Sequence, residues 1–93
     1  MIVDVQNLCG HFAENKDTAR EIRESTLKKL IESDEPVILD FNGIDSSTQS
    51  FVHALISEIF QRKGEAMLNQ FEFRNCNEAV KSLIATVINY SLE

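Results

Sequence analysis

A chain of 93 residues has room for one hydrophobic core, so we expect a single domain over residues 1–93. Fifteen acidic residues against nine basic ones give a net charge of −6, which disfavours the phosphate backbone of a nucleic acid as a partner. Two cysteines and two histidines are too few for several disulfides or a structural metal site, so the 43% hydrophobic residues must supply the core.

The sequence also bears on where in the cell the protein is expected. No apolar run approaches the ~18 residues that a membrane helix requires, and no basic segment followed by a hydrophobic stretch opens the chain. The two cysteines are compatible with a reducing compartment. We therefore expect a cytoplasmic domain with no membrane association.

The first third of the chain predicts a strand and then a helix. A β-rich run at residues 2–5 precedes a turn at Gly10. Apolar residues then recur at three- and four-residue steps, which predicts an amphipathic helix from Asp17 to Glu32 with Asp17 as its N-cap. Pro36 cannot continue that helix.

The middle of the chain predicts the centre of the fold. Val37 to Phe41 is a nearly unbroken apolar segment, typical of a central strand that is buried on both faces. An Asn-Gly turn and a polar loop follow. A second helix is predicted from Ser50 to Arg62, with Ser50 near its N-cap.

The last third predicts one more strand and helix. Phe71-Glu72-Phe73 is a short strand with both rings on one side, and Asn77 caps a helix that reaches Tyr90. The order of strand and helix, three times repeated, predicts an α/β fold with a small mixed or partly parallel sheet and helices packed on it.

The polar loop between the central strand and the second helix is the richest chemical feature. Proteins with α/β folds commonly place ligands there, and a hydroxyl at a helix start could receive a phosphate. The same residue types are also ordinary turn and cap chemistry. The loop, which we call the serine loop, consists of Asp45, Ser46, Ser47, Thr48, Gln49 and Ser50.

The residues that usually carry catalysis or metals are sparse. His11 and His53 have no carboxylate or thiol at a recurrent ligand spacing, and Cys9 and Cys76 form no Cys-x-x-Cys pair. A Gly-rich phosphate loop is also missing from the sequence. We expect a protein that is not an enzyme, with no catalytic residue, no metal and no cofactor.

Several short segments stand in a recognisable order along nearly the whole chain. They are Gly10-His11-Phe12-Ala13, Asp17-Thr18-Ala19-Arg20, Val37 to Ile44, Ser50-Phe51, and Phe71 to Asn75. This order resembles the bacterial STAS-like domain of unknown function, a relative of the anti-sigma factor antagonists. The most specific part is the succession of strand, Asp-Phe-x-Gly, loop, Ser-Phe and helix.

The resemblance implies a small sheet with helices on one side and a loop that docks on another protein. In the STAS superfamily the partner is an ATP-binding, kinase-like anti-sigma factor, which phosphorylates a serine at the start of the second main helix and thereby breaks the complex. A phosphate adds about −1.5 to −2 charges at the docking surface. The domain is then substrate and switch, and its partner is the enzyme.

The resemblance also assigns the loop residues. Alignment on the central strand places Thr48, Gln49 and Ser50 at the family's Asp, acceptor Ser and second Ser. Gln49 cannot be phosphorylated, which leaves Ser50 as the candidate phosphoacceptor, with a competing role as N-cap. The partner-binding loop is expected to run from Asp45 to Phe51.

Three functions remain open at this point. The first is a non-enzymatic regulatory domain that resembles an anti-sigma factor antagonist and docks through this loop. The second is a structural or scaffolding subunit of a larger or homodimeric assembly, and the third is a small enzyme that uses Cys9, His11 or the serine loop. Exposed apolar surface beside the loop would favour docking, whereas such surface at a sheet edge or on an outer helix would favour assembly.

Overall fold

Parallel strands and long helices alternate in the computed structural model, which describes residues 2–93. The strands are β1 (Ile2–Asp4), β2 (Phe12–Ala13), β3 (Val37–Asp40), β4 (Ser46–Ser47) and β5 (Phe71–Arg74). The helices are α1 (Val5–Cys9), α2 (16–32), α3 (49–63), α4 (Met67–Gln70) and α5 (Glu78–Ser91), with a 3₁₀ turn (Gly64–Ala66) before α4.

The main sheet has the order β1-β3-β5, and both of its strand pairs are parallel. A second, two-stranded parallel sheet pairs β2 with β4. Each parallel pair needs a long crossover, which α2 and α3 supply. The predicted α/β fold with a small, partly parallel sheet and packed helices is confirmed.

Strand β3 lies at the centre of the main sheet, as predicted, but it is fully buried on one face only. Val37, Leu39 and Phe41 are at most 1% exposed, whereas Ile38 and Asp40 on the opposite face are half-buried. Residues that pair with Ile38 and Asp40 in the neighbouring strands are exposed. The prediction of burial on both faces was therefore wrong, because the helices cover one face and leave an open outer face.

The third predicted helix is confirmed with its cap, and the first begins earlier than expected. Asn77 Oδ1 accepts from the Val80 amide at 2.9 Å, which starts α5 as predicted. In α2 the predicted N-cap, Asp17, lies inside the first turn. The cap is Asn15, whose Oδ1 accepts from the Asp17 amide at 2.9 Å and from the Thr18 amide at 3.3 Å.

Residues 5–13 fold differently from the prediction. Val5 was assigned to the first strand, but it begins α1, because the Asp4 carboxylate accepts from the Asn7 amide at 3.1 Å and caps a short helix there. Strand β2 follows directly and is held by β4 from the serine loop. The amino-terminal segment and the serine loop therefore form one structural unit.

The two long helices α2 and α3 each contain a π-helical turn, at Arg23–Leu27 and His53–Ser57. In such a turn each amide bonds to the carbonyl five residues earlier. Arg23 Nη1 donates to the Ala54 carbonyl at 2.8 Å, and its Nη2 lies 3.4 Å from a Glu58 carboxylate oxygen. One side chain thus ties α2 to α3.

We predict that Leu39→Asp unfolds the domain, whereas Ile38→Asp leaves it folded. Leu39 is fully buried in the central strand, and an unpaired carboxylate there costs several kcal/mol out of a total stability of about 5 to 15 kcal/mol. Ile38 faces the open side, where the same carboxylate keeps contact with water. Urea unfolding followed by circular dichroism measures both. Equal stability of the two variants would contradict the assignment of faces.

Candidate functional site

The serine loop is fixed at the carboxyl end of β3 by backbone pairing. Ser46 and Ser47 lie in parallel register with Phe12 and Ala13. The Asp45 amide donates to the His11 carbonyl at 2.8 Å, and the Thr48 amide donates to the Ala13 carbonyl at 3.2 Å. These bonds give the loop a defined conformation rather than leaving it as a free connection.

One side chain fastens the loop from the other side. Asn77 Nδ2 donates to the carbonyls of Ile44 at 3.3 Å and Asp45 at 3.0 Å, while its Oδ1 caps α5. Asn77 was predicted only as a cap, because its second role depends on a contact between residues more than thirty positions apart. The start of α5 and the serine loop are consequently coupled.

Helix α3 begins at Gln49, and its N-cap is Thr48. Thr48 Oγ1 accepts from the Phe51 amide at 3.1 Å, while the Phe51 ring is completely buried. The assignment of Ser50 as N-cap was therefore wrong. Ser50 lies in the first turn with an exposed side chain, so the capping role does not compete with any other role of its hydroxyl.

The remaining loop residues divide into anchors and exposed groups. Ser47 Oγ donates to the Ala13 carbonyl at 2.8 Å, and Phe51 is part of the core, so both of these side chains hold the loop in place. Asp45, Gln49 and Ser50 are exposed, and Ser46 is half-buried. Ser47 and Thr48 are half-buried as well, so Phe51 is the one fully buried residue among the seven predicted ones.

An exposed aromatic ring stands beside the loop. Phe12 is 59% exposed and pairs in register with Ser46, and paired residues of parallel strands project to the same face. Sequence reasoning placed Phe12 in a motif but gave it no role. We call Phe12, Ser46, Gln49 and Ser50 the serine-loop surface.

A hydrogen-bonded carboxylate, that of Asp40, lies at the carboxyl end of the main sheet. Asp40 Oδ1 accepts from Asn75 Nδ2 at 2.9 Å and from the Asn42 amide at 2.9 Å. The bond from Asn75, and then that from Asn42, lower the pKa of Asp40 below its ordinary value. Asp40 is therefore ionised at neutral pH and joins the end of β3 to the end of β5.

The cysteines and histidines do not form a nucleophilic pair. Burial raises the pKa of the Cys9 thiol and of the Cys76 thiol, which keeps both protonated and weakly nucleophilic. His11 Nδ1 lies 3.0 Å from the Gly43 carbonyl, and His53 Nδ1 lies 2.7 Å from the Tyr90 hydroxyl. These partners are structural, and neither is a thiol.

Among residues 2–93, no three His, Cys, Asp or Glu side chains lie close enough together to hold a metal ion. Over the same residues, every helix is too short or too polar to cross a membrane.

Comparison with models of known protein families matches residues 18–81 to the family described as a STAS-like domain of unknown function (DUF4325). The matched segment begins in α2, contains β3, the serine loop, α3 and β5, and ends in α5. No curated protein and no solved structure gives a significant match to the chain.

The two candidate caps of α3 are separated by alanine substitution. We expect Thr48→Ala to lower the free energy of unfolding by about 1 kcal/mol, because it removes the acceptor of the Phe51 amide. Ser50→Ala should change it by less than about 0.5 kcal/mol, since the Ser50 side chain is exposed. Chemical denaturation of both variants tests this. A larger loss at Ser50 would return the cap to that residue.

The Asp40 hydrogen bonds predict a pH dependence. Because the folded-state pKa of Asp40 is lowered, its contribution to stability is present above the unfolded-state pKa and is lost as pH falls through the folded-state pKa. Asn75→Gly removes the side-chain donor and keeps the positive φ of 57° accessible. We expect the pKa of Asp40 to rise toward its ordinary value in this variant.

A carboxyl-carbon NMR titration of wild type and Asn75→Gly measures that change. Asp40→Asn is the matched control. The difference in unfolding free energy between wild type and this variant should become smaller as the pH falls through the Asp40 pKa. An Asp40 pKa that is identical in wild type and Asn75→Gly would show that the Asn75 bond does not hold the carboxylate ionised.

Proposed function

Because the chain belongs to the family of STAS-like domains of unknown function, we propose that it is a non-enzymatic regulatory domain that docks on another protein through its serine-loop surface. The observation that carries the proposal is the exposed Phe12 ring next to Ser46. Large aromatic side chains are common anchors in protein interfaces, and here one is held on a paired strand beside polar groups.

The rigidity of the surface supports docking. Backbone pairing with residues 11–13, the Asn77 bonds and the Thr48 cap order the loop before any partner arrives. A surface that is already ordered loses less conformational entropy on binding. The raised pKa values of the two thiols agree with a binding role rather than with nucleophilic chemistry.

The finer proposal follows from the resemblance to anti-sigma factor antagonists. In it the partner is an ATP-binding, kinase-like protein, and Ser50 is the residue that this partner phosphorylates. The exposed Ser50 hydroxyl, free of the capping role, supports this assignment, although Gln49 stands where the family usually has its acceptor. A phosphate on Ser50 would change the charge of the serine-loop surface and release the partner.

The open outer face of the main sheet favours a second candidate function, assembly with another copy. Ile2 is 51% exposed on β1, an edge strand, and its register partner Ile38 is half-buried. Exposed edges and apolar residues are common sites of strand pairing between chains.

We expect Phe12→Ser to weaken capture of the partner from cells that express the protein by about tenfold, because it removes the aromatic anchor. Leu68→Ser is the matched control, since Leu68 is 47% exposed on α4, outside the serine-loop surface. Ser50→Asp should preserve the fold and also weaken capture. Quantitative mass spectrometry of cross-linked complexes measures all three.

Two results would count against the proposal. If Phe12→Ser and Leu68→Ser capture partners equally well, the serine-loop surface is not the docking site. If the wild type sediments as a dimer that Ile2→Lys dissociates, and no partner depends on Phe12, assembly through the outer face replaces docking. Tight binding by Ser50→Asp would end the phosphorylation switch alone.

A further inference from the structure

We propose that the groove between α2 and α3, which begins beside Ser50, binds an acidic, extended segment of the protein partner. This inference rests on the proposed docking function and specifies the chemistry of the partner surface. The groove is lined on the α2 side by Lys16, Arg20 and Arg23, and on the α3 side by residues that include Gln49, Ser50, His53, Glu58 and Arg62.

The charge of this groove is opposite to that of the whole chain. Four of the nine basic residues line it, but only one of the fifteen acidic residues, Glu58, does so. The chain as a whole carries a charge of −6. The lining therefore has an excess of positive charge, although the chain as a whole is acidic.

Two of the four cations already form ion pairs with glutamates of the protein. Arg23 is only 16% exposed, and its guanidinium bonds to the Ala54 carbonyl and lies near Glu24 and Glu58. Arg62 Nη2 lies 2.7 Å from a Glu58 oxygen, one helical turn away. Arg23 and Arg62 together neutralise Glu58, so the single carboxylate does not cancel the other cations of the groove.

Lys16 and Arg20 remain available to a ligand. Both are exposed, and the described residues 2–93 offer Lys16 no carboxylate within ion-pair distance. Arg20 lies 3.9 Å from Asp17, but both side chains are more than half exposed, and such pairs contribute little. The groove thus presents two accessible positive charges opposite the uncharged Gln49 and Ser50 side chains.

The spacing of these two charges indicates the shape of the ligand. Lys16 and Arg20 are four residues apart on α2, which places them on one face and about 6 Å apart along the axis. In an extended chain, alternate residues point the same way and are about 6.6 Å apart. A segment with carboxylates at alternate positions therefore matches both cations at once.

The adjoining groove between the same helices provides an internal comparison. It is lined by Arg23, Lys28, Arg62 and Lys63, but also by Glu24, Glu32 and Glu58, so its charges nearly balance. The larger excess of positive charge lies in the groove that begins beside Ser50. An acidic segment is consequently directed to the serine-loop surface rather than along the whole interhelical groove.

The groove also gives Ser50 phosphorylation a physical effect. A phosphate on Ser50 would enter the groove that contains Lys16 and Arg20 and would compete with partner carboxylates for these cations. The acidic segment and the phosphate are therefore alternative occupants of one positive region.

The probe for this proposal is a fluorescein-labelled peptide of alternating Glu and Ser, titrated by fluorescence anisotropy. We expect Lys16→Glu and Arg20→Glu each to weaken its binding by roughly threefold to tenfold, and added salt to weaken binding to the wild type. Lys81→Glu makes the same charge change at an exposed position of α5 outside the groove and should leave binding nearly unchanged. Amide resonances of Gln49, Ser50 and His53 should shift on binding.

Equal weakening by Lys81→Glu and Arg20→Glu would overturn the proposal, since binding would then follow net charge alone. If partner capture depends on Phe12 but is insensitive to Lys16→Glu and Arg20→Glu, the proposal of an acidic segment is wrong and the proposal of docking through the serine-loop surface is retained. If the peptide binds as expected while capture of no partner depends on Phe12, the proposal of docking through the serine-loop surface is wrong and the groove is retained as a site for acidic peptides.

Discussion

The Arg23 guanidinium links the two long helices through polar contacts at their interface. It is mostly buried, it donates to the Ala54 carbonyl in the π-helical turn of α3, and it approaches Glu58. A hydrogen bond from a charged group contributes about 1.5 to 3 kcal/mol, whereas an exposed ion pair such as Arg20–Asp17 contributes about 0 to 1 kcal/mol. Because α2 and α3 form the two walls of the groove that begins beside Ser50, this side chain helps to hold those walls together.

The serine loop owes its shape to polar groups that are directed inward. Ser47 bonds to the β2 backbone, Thr48 caps α3, and Asn77 bonds to the loop carbonyls, so these groups are not available to a partner. What remains at the surface is a short set of side chains around Phe12 and Ser50. An ordered loop with few exposed groups favours recognition of one partner geometry, because little freedom is left for adaptation.

The three long helices and the central strand could be predicted from sequence, because hydrophobic periodicity is a local signal. Both incorrect N-caps were placed two residues too late, Asp17 for Asn15 and Ser50 for Thr48. Periodicity shows where a buried face begins, but the first two residues of each of these helices, Lys16 and Asp17 in α2 and Gln49 and Ser50 in α3, are exposed and add no apolar signal. Strands β2 and β4 have two residues each and exist only through pairing with each other, so no local pattern could predict them or the position of Phe12 beside Ser46.

Net charge proved a poor guide to the character of the candidate site. A charge of −6 argues against nucleic acid over long distances, but charges separated by more than about 8 Å are largely screened at physiological salt. Within that range a ligand in the groove beside Ser50 meets the exposed cations Lys16 and Arg20. The carboxylate of the lining, Glu58, is already paired with two arginines. An acidic partner would therefore be repelled weakly at a distance and attracted on contact, so that correct alignment in the groove, rather than long-range steering, would select it.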